Sequence, residues 1–164
     1  MDNIYWNVNK SYENCKIFKD NDIHDIDYNY LNNVIFTNDN IIRKITLPLN
    51  YYSNKESYEI ELFSNRQYTI KDIMNIIYDF YNTKLSEEEL KFISNLHNIS
   101  SNILNKDYTK MREEYNYLLF NIINDYDRKR IDLLGSRIIF EGLYPLKDDR
   151  YNLLLGYWII YNIL

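Results

Sequence analysis

Between Thr69 and Tyr81 the apolar positions fall along one side of a helix. Ile70, Ile73, Met74, Ile77 and Tyr81 stand at i, i+3, i+4, i+7 and i+11. Thr69 precedes them as an N-cap with Asp72 three residues on, a short-armed capping box. A second helix is predicted from Ser86, where Ser86-Glu87-Glu88-Glu89 spells a capping box and Leu85 and Leu90 occupy the positions of a hydrophobic staple. The three glutamates also suit the positive end of the helix dipole. Helical spacing returns at Tyr108, Met111, Tyr115, Leu118, Leu119 and Ile122. A further turn or two is predicted from Asp127 to Leu134, with Gly135 placed to stop it.

The strand pattern has a different period. Val34-Ile35-Phe36 reads as a short apolar strand, and Asn38-Asp39-Asn40 is turn chemistry. Ile41 to Leu49 is a β-branched strand whose Pro48 places its end at an edge or bulge. After a polar loop, Tyr51 to Ser57, the run Tyr58 to Phe63 alternates, with Tyr58, Ile60 and Leu62 facing inward and Glu59 and Glu61 facing water. The C-terminal part reads as a hairpin, Arg137 to Tyr144 and Tyr151 to Ile160, joined by Pro145 to Arg150. Gly142 and Gly156 mark bulges or close packing within its strands. The first thirty residues are the least readable. Tyr5 to Val8 suggests a short strand, Ile17-Phe18 an apolar anchor, and Asp20 to Asp27 a surface loop.

Strands, then helices, then a terminal hairpin make α+β order. The expected fold is a mixed or antiparallel sheet of about 4–6 strands, with three to four helices packed on one face. The C-terminal hairpin is expected to join the sheet of the middle strands. Residues 1–164 are expected to form a single domain, with residues 1–30 as a poorly defined N-terminal extension. Hydrophobic content of 46% beside 26% charged is globular composition.

Composition changes the picture in one respect. The chain has no alanine, 3 glycines and 2 prolines, against 18 tyrosines and dense asparagine and isoleucine. Residues with A/T-rich codons are swollen, so codon bias accounts for much of the tyrosine before any binding surface is invoked. Charge excludes more. The net charge is −5, and residues 1–40 hold seven carboxylates against three lysines. No basic face announces itself, so nucleic-acid binding is disfavoured. A lone cysteine, Cys15, forms no internal disulfide and reads as a buried or idle thiol in a reducing compartment. No secretory signal or membrane span is expected, which points to the cytoplasm.

The blocks Ile41 to Asn82 and Ser136 onward, with Arg137-Ile138-Ile139-Phe140-Glu141-Gly142, resemble the β-grasp order of ubiquitin-like domains. There a hairpin, a helix and a later Ile-Phe-x-Gly strand form one sheet. The chain departs from that order by about fifty intervening residues, an N-terminal extension and the lack of a diglycine tail, so modifier chemistry is not implied. The codon bias, with Tyr68-Thr69-Ile70-Lys71-Asp72-Ile73 and Asp132 to Leu143, is also similar to uncharacterised proteins of A/T-rich large DNA viruses. That resemblance implies host cytoplasm or virion as the location, and no activity.

Candidate chemistry is sparse. Asp20, Asp22, His24, Asp25 and Asp27 concentrate metal-capable donors, although an EF-hand would need Gly and Glu where Asp25 and Leu31 stand, and a solvated acidic loop is the commoner use of such a run. Glu59 and Glu61 share a strand face that is ordinarily its wet side. His97, near the end of a helix, reads as structural. Arg128, Lys129, Arg130 and Arg137 form the best anionic-ligand candidate, with pairing to neighbouring aspartates as the commoner use. No phosphate-binding glycine loop, zinc spacing or nucleophile elbow is present, and no cofactor is implied. Tyr157, Trp158 and Tyr161 supply interface-type aromatics near the C-terminus. The expectation is a non-enzymatic protein–protein interaction or structural assembly protein, its partner another protein or a second copy. The alternative is a ligand- or metal-binding domain or enzyme using the acidic loop 20–27 or the basic cluster 128–137.

Overall fold

The computed structural model describes residues 1, 3–49, 57–91 and 128–157. Among them the strands form three sheets. In the first, β1 (Ile4–Tyr5), β2 (Lys16–Lys19) and β3 (Asp22–Asp25) run antiparallel in chain order. Two short strands, β4 (Val34–Phe36) and β7 (Tyr68–Thr69), make the second. The third combines β5 (Arg43–Pro48), β6 (Ser57–Leu62), β8 (Ile139–Pro145) and β9 (Arg150–Gly156) in the order β6-β5-β9-β8. Helices α1 (Tyr28–Leu31) and α2 (Ile70–Tyr81) lie between the strands in sequence. No helix among the described residues is long and apolar enough to cross a membrane.

Alternation builds the largest sheet. Ile45, Leu47 and Leu62 are buried while Glu59 and Glu61 are exposed, as a strand with one wet face requires. Pro48 lies beyond the last β5–β9 pair, Thr46↔Asn152, so its missing N–H costs no bond to that neighbour. The C-terminal hairpin joins this sheet through β9, which runs parallel to β5 with Lys44 opposite Arg150, and that makes the sheet mixed. Within the hairpin the register slips at Glu141, between the pairs Phe140↔Leu155 and Gly142↔Leu154. Gly142 takes φ +141° there, a conformation open to glycine and rarely to other residues.

Helix α2 buries Ile70, Ile73, Met74, Ile77, Phe80 and Tyr81. Its capping box is complete. The Asp72 N–H donates to the Thr69 hydroxyl at 3.2 Å and the Thr69 N–H to the Asp72 carboxylate at 2.9 Å. The helix meets the large sheet through Phe80 on Tyr58, ring centroids 5.2 Å apart. The Tyr81 hydroxyl also donates to the Pro48 carbonyl at 2.7 Å. Truncating a fully buried side chain of this face, such as Ile77→Ala, would cost about 2–5 kcal/mol.

One expected sheet has become three, and the reason lies near the N-terminus. β1 stops after two residues because the next three turn to bond β8 instead. The Phe140 N–H donates to the Trp6 carbonyl at 2.8 Å, Asn7 bridges Ile139, and the Val8 N–H donates to the Ile138 carbonyl at 2.9 Å. Trp6 and Val8 are wholly buried. Residues that read as an ill-defined extension are therefore part of the core.

The acidic run is a second correction. Asp20 and Asn21, at φ 54° and 62°, form a two-residue turn, and Asp22–Asp25 is an exposed strand rather than a loop. Carboxylates are rare in strands, which is why the run reads as a loop, but β3 is an edge strand where solvation is retained.

After α2 the chain forms a neck. Lys84 bridges Lys129 antiparallel, the Leu85 N–H donates to the Arg128 carbonyl at 2.9 Å, and the Arg130 N–H to the Thr83 carbonyl at 3.1 Å. The Ser86 capping box is formed, with the Glu89 N–H donating to the Ser86 hydroxyl at 3.2 Å. The turn expected at 127–134 is a 3-10 helix, Arg130–Leu134, ended by Gly135 at φ 56°. The loop at 51–56, the spacing from Tyr108 to Ile122, and His97, Trp158 and Tyr161 lie outside the described residues.

Candidate interaction groove

The structure separates the acidic candidates instead of gathering them. Asp20 sits in the β2–β3 turn. In β3, Asp22 stands opposite Lys19, His24 opposite Ile17, and Asp25 opposite Lys16, to which it is ion-paired. Strand alternation therefore sends Asp22 and His24 to one face and Asp25 to the other. Asp27 caps α1, its carboxylate accepting from the Asn29 N–H at 2.9 Å. Among the described residues no three His, Cys, Asp or Glu side chains come together to hold a metal ion.

The basic candidates are spread in a similar way. The Arg128 carbonyl serves the neck, and the Lys129 N–H donates to the Asp132 carboxylate at 2.8 Å. Arg130 reaches outside its own turn to Glu89, and its guanidinium lies over the Phe80 and Tyr58 rings. The Arg137 Nε–H donates to the Leu155 carbonyl at 3.1 Å. These residues tie the 3-10 turn to the sheet and to the helix start at residues 87–91. Glu59 is flanked by Lys44 at 3.3 Å and Arg150 at 3.5 Å, so the expected wet face of β6 is laced with ion pairs. Cys15 is buried, and burial pushes its thiol up to about 11. Tyr157 is half-buried just after β9.

A different feature concentrates unsatisfied apolar surface. Phe18 and Ile23 are direct cross-strand partners in β2 and β3, yet they remain 47% and 49% exposed. With Ile4, Tyr5 and Phe140 they line a groove of about 500 Å³ between the N-terminal sheet and β8. Its size is that of a ligand or side-chain pocket. Glu141, at the bulge, and Asp22, whose carboxylate accepts from the Ile23 N–H at 2.8 Å, also border the groove. The two charged residues bordering the groove among the described residues are both acidic. Cys15 and His24 lie elsewhere.

Sequence reasoning identified Phe18 as an apolar anchor and Asp22 as a metal candidate but did not bring them together. The available signal was the Asp20-Asn21 dipeptide, a two-residue hairpin turn that fixes the register placing Phe18 opposite Ile23. Glu141 carried no comparable signal, since its position depends on the bulge and on long-range pairing.

No curated protein and no solved structure matches the chain. One family model matches residues 4–150, a span running from the first residue of β1 to the first of β9. The chain thus belongs to the DUF6699 family, a family of unknown function.

Proposed function

We propose that the chain is a non-enzymatic interaction or assembly module that seats part of a protein partner in the groove between β8 and the N-terminal sheet. The observation carrying this reading is the paired exposure of Phe18 and Ile23 at the groove. Leaving such a pair in water forfeits burial free energy of about 25 cal/mol per Å² of apolar surface, which a partner would recover. To test this, the tagged chain is purified from the cells that naturally make it, beside a Phe18→Ser/Ile23→Ser variant. A protein recovered at fixed stoichiometry with the parent and lost from a variant of unchanged melting temperature supports the reading. Equal recovery by both forms, or turnover of a small molecule by the pure chain, counts against it.

Two finer readings accompany the proposal. The hairpin β5–β6 and the returning Ile139-Phe140-Glu141-Gly142 strand share one mixed sheet, and α2 packs on it through Phe80, which supports a β-grasp arrangement. The alanine-free, A/T-codon alphabet supports a viral origin, with action in the host cytoplasm or an assembled particle. Solving the structure by experiment checks the first reading, and locating the gene checks the second.

A further inference from the structure

We propose that Asp22 guards the open edge of β3, keeping the chain from pairing with a second copy of itself through that strand. The inference goes beyond the groove reading and stands whether or not the groove has an occupant. β3 closes the order β1-β2-β3, so among the described residues no strand pairs with its outer side, and all four of its residues are exposed. A bare edge of this kind is a template for another strand. Its outward groups are fixed by β2. The Phe18 N–H donates to the Asn3 carbonyl at 2.7 Å, toward β1, so Phe18 and Ile23 face each other without exchanging hydrogen bonds. The Ile23 N–H and carbonyl therefore point outward, as do those of Asp25.

One self-pairing register is favoured over the rest. A two-fold antiparallel contact centred on Ile23 sets Ile23 against Ile23 and runs an unbroken row, Phe18, Ile23, Ile23, Phe18, across both copies. It covers four side chains that are half-exposed in the single chain. Asp22 then falls opposite His24 and Asp25 opposite Asn21, so no two carboxylates meet directly. Centring on Asp22 or Asp25 opposes like carboxylates, and centring on His24 sets Ile23 against Asp25. The favoured register needs the Ile23 N–H to donate to the Ile23 carbonyl across the axis. That N–H is already engaged, because the Asp22 carboxylate accepts it at 2.8 Å. To pair, each copy must release a bond whose acceptor is charged in exchange for an ordinary backbone bond. The guard thus stands at the position where the apolar row would otherwise draw two copies together, and it leaves Phe18 and Ile23 uncovered.

The test is the association state of the full chain, read by analytical ultracentrifugation from micromolar to millimolar concentration. The parent is expected to remain a monomer. Asp22→Val removes the acceptor and should form a dimer, its self-association about ten- to hundredfold tighter than that of the parent. Asp22→Asn keeps an acceptor oxygen in the same place without the charge, and should remain a monomer. Asp22→Val combined with Ile23→Ser should return to the monomer, because the apolar row is broken. Thermal melts establish that each variant is folded, and Asp22→Leu takes the place of Asp22→Val if the latter melts early.

A parent chain that dimerises through Ile23, an unguarded variant that stays a monomer, or a dimer indifferent to Ile23→Ser would overturn the proposal. Dimerisation of Asp22→Asn as tight as that of Asp22→Val would overturn it in favour of simple charge repulsion along the edge.

Discussion

Arg130 and Glu89, 41 residues apart in sequence, form a two-pronged ion pair. Nε donates to Oε2 at 3.1 Å and Nη2 to Oε1 at 3.2 Å. The guanidinium is stacked 4.4 Å from the Phe80 ring centroid and 4.9 Å from that of Tyr58. One side chain thus joins the helix start, the 3-10 turn, α2 and β6. Removing either partner leaves the other poorly solvated, so Arg130→Met is expected to cost about 2–3 kcal/mol, measured by urea denaturation at neutral pH.

The pair also sets a pH dependence. Burial is the largest single influence and works to raise the Glu89 carboxyl, but the hydrogen bonds and charge of Arg130 together with the hydrogen bonds from Ser86 outweigh it and hold the group below its ordinary value. A depressed folded pKa gives stability that is complete above the unfolded value of about 4.3 and is lost as pH falls through the folded one. Asp25 and Asp39, paired with Lys16 and Arg43, act in the same direction. The difference between parent and Glu89→Gln isolates the contribution of Glu89. The urea midpoint of the variant should fall less steeply below about pH 4.5, and identical slopes would remove the pair from the account.

Tyr81→Phe deletes the hydroxyl that donates to the Pro48 carbonyl inside the core. The ring still fills its site, so the loss is confined to one buried hydrogen bond and an orphaned acceptor. A destabilisation of about 1–2 kcal/mol is expected from thermal or urea unfolding. A neutral result would mean that the carbonyl finds another donor.

Gly142→Ala separates space from conformation. A Cβ there meets nothing within 4 Å, but the residue stands at φ +141°. The expected cost of about 1–3 kcal/mol is therefore entirely backbone strain. Equal stability in the two forms would show that the bulge can move elsewhere in β8.

Cys15 should react slowly. Its thiol is buried and held up to about 11, so little thiolate exists at neutral pH. Labelling by a maleimide is expected to keep pace with unfolding and to accelerate sharply in urea. Rapid labelling of the native chain would contradict that placement.

Legibility followed sequence distance. The stripe Ile70 to Tyr81, its Thr69 cap, the Ser86 capping box and the alternation of Tyr58 to Leu62 depend on neighbours within a few residues, and the structure has each of them. The joining of the terminal hairpin to the middle strands was also readable, because two apolar hairpins with one wet face have few ways to cover themselves. The three-sheet division was not. It turns on Trp6 and Val8 bonding to Phe140 and Ile138 from the far end of the chain. Nothing local in Tyr5-Trp6-Asn7-Val8 distinguishes a strand of the first sheet from a strap on the third. The groove shared that obstacle, because one wall comes from residues 3–23 and the other from 140–141. Biased composition added to it, since an abundance of aromatic residues makes any single exposed one, such as Phe18, look unremarkable.

The neck at Lys84 and Lys129 has an evolutionary consequence. Because residues 83–85 and 128–130 are bonded to each other, the chain departs after α2 and comes back before the 3-10 turn at a single port. Doubling the length of chain between such fixed ends adds only about 0.6 kcal/mol of closure entropy. Descendants of this fold are therefore free to change the number of residues between Lys91 and Arg128, while the strands on either side keep their register.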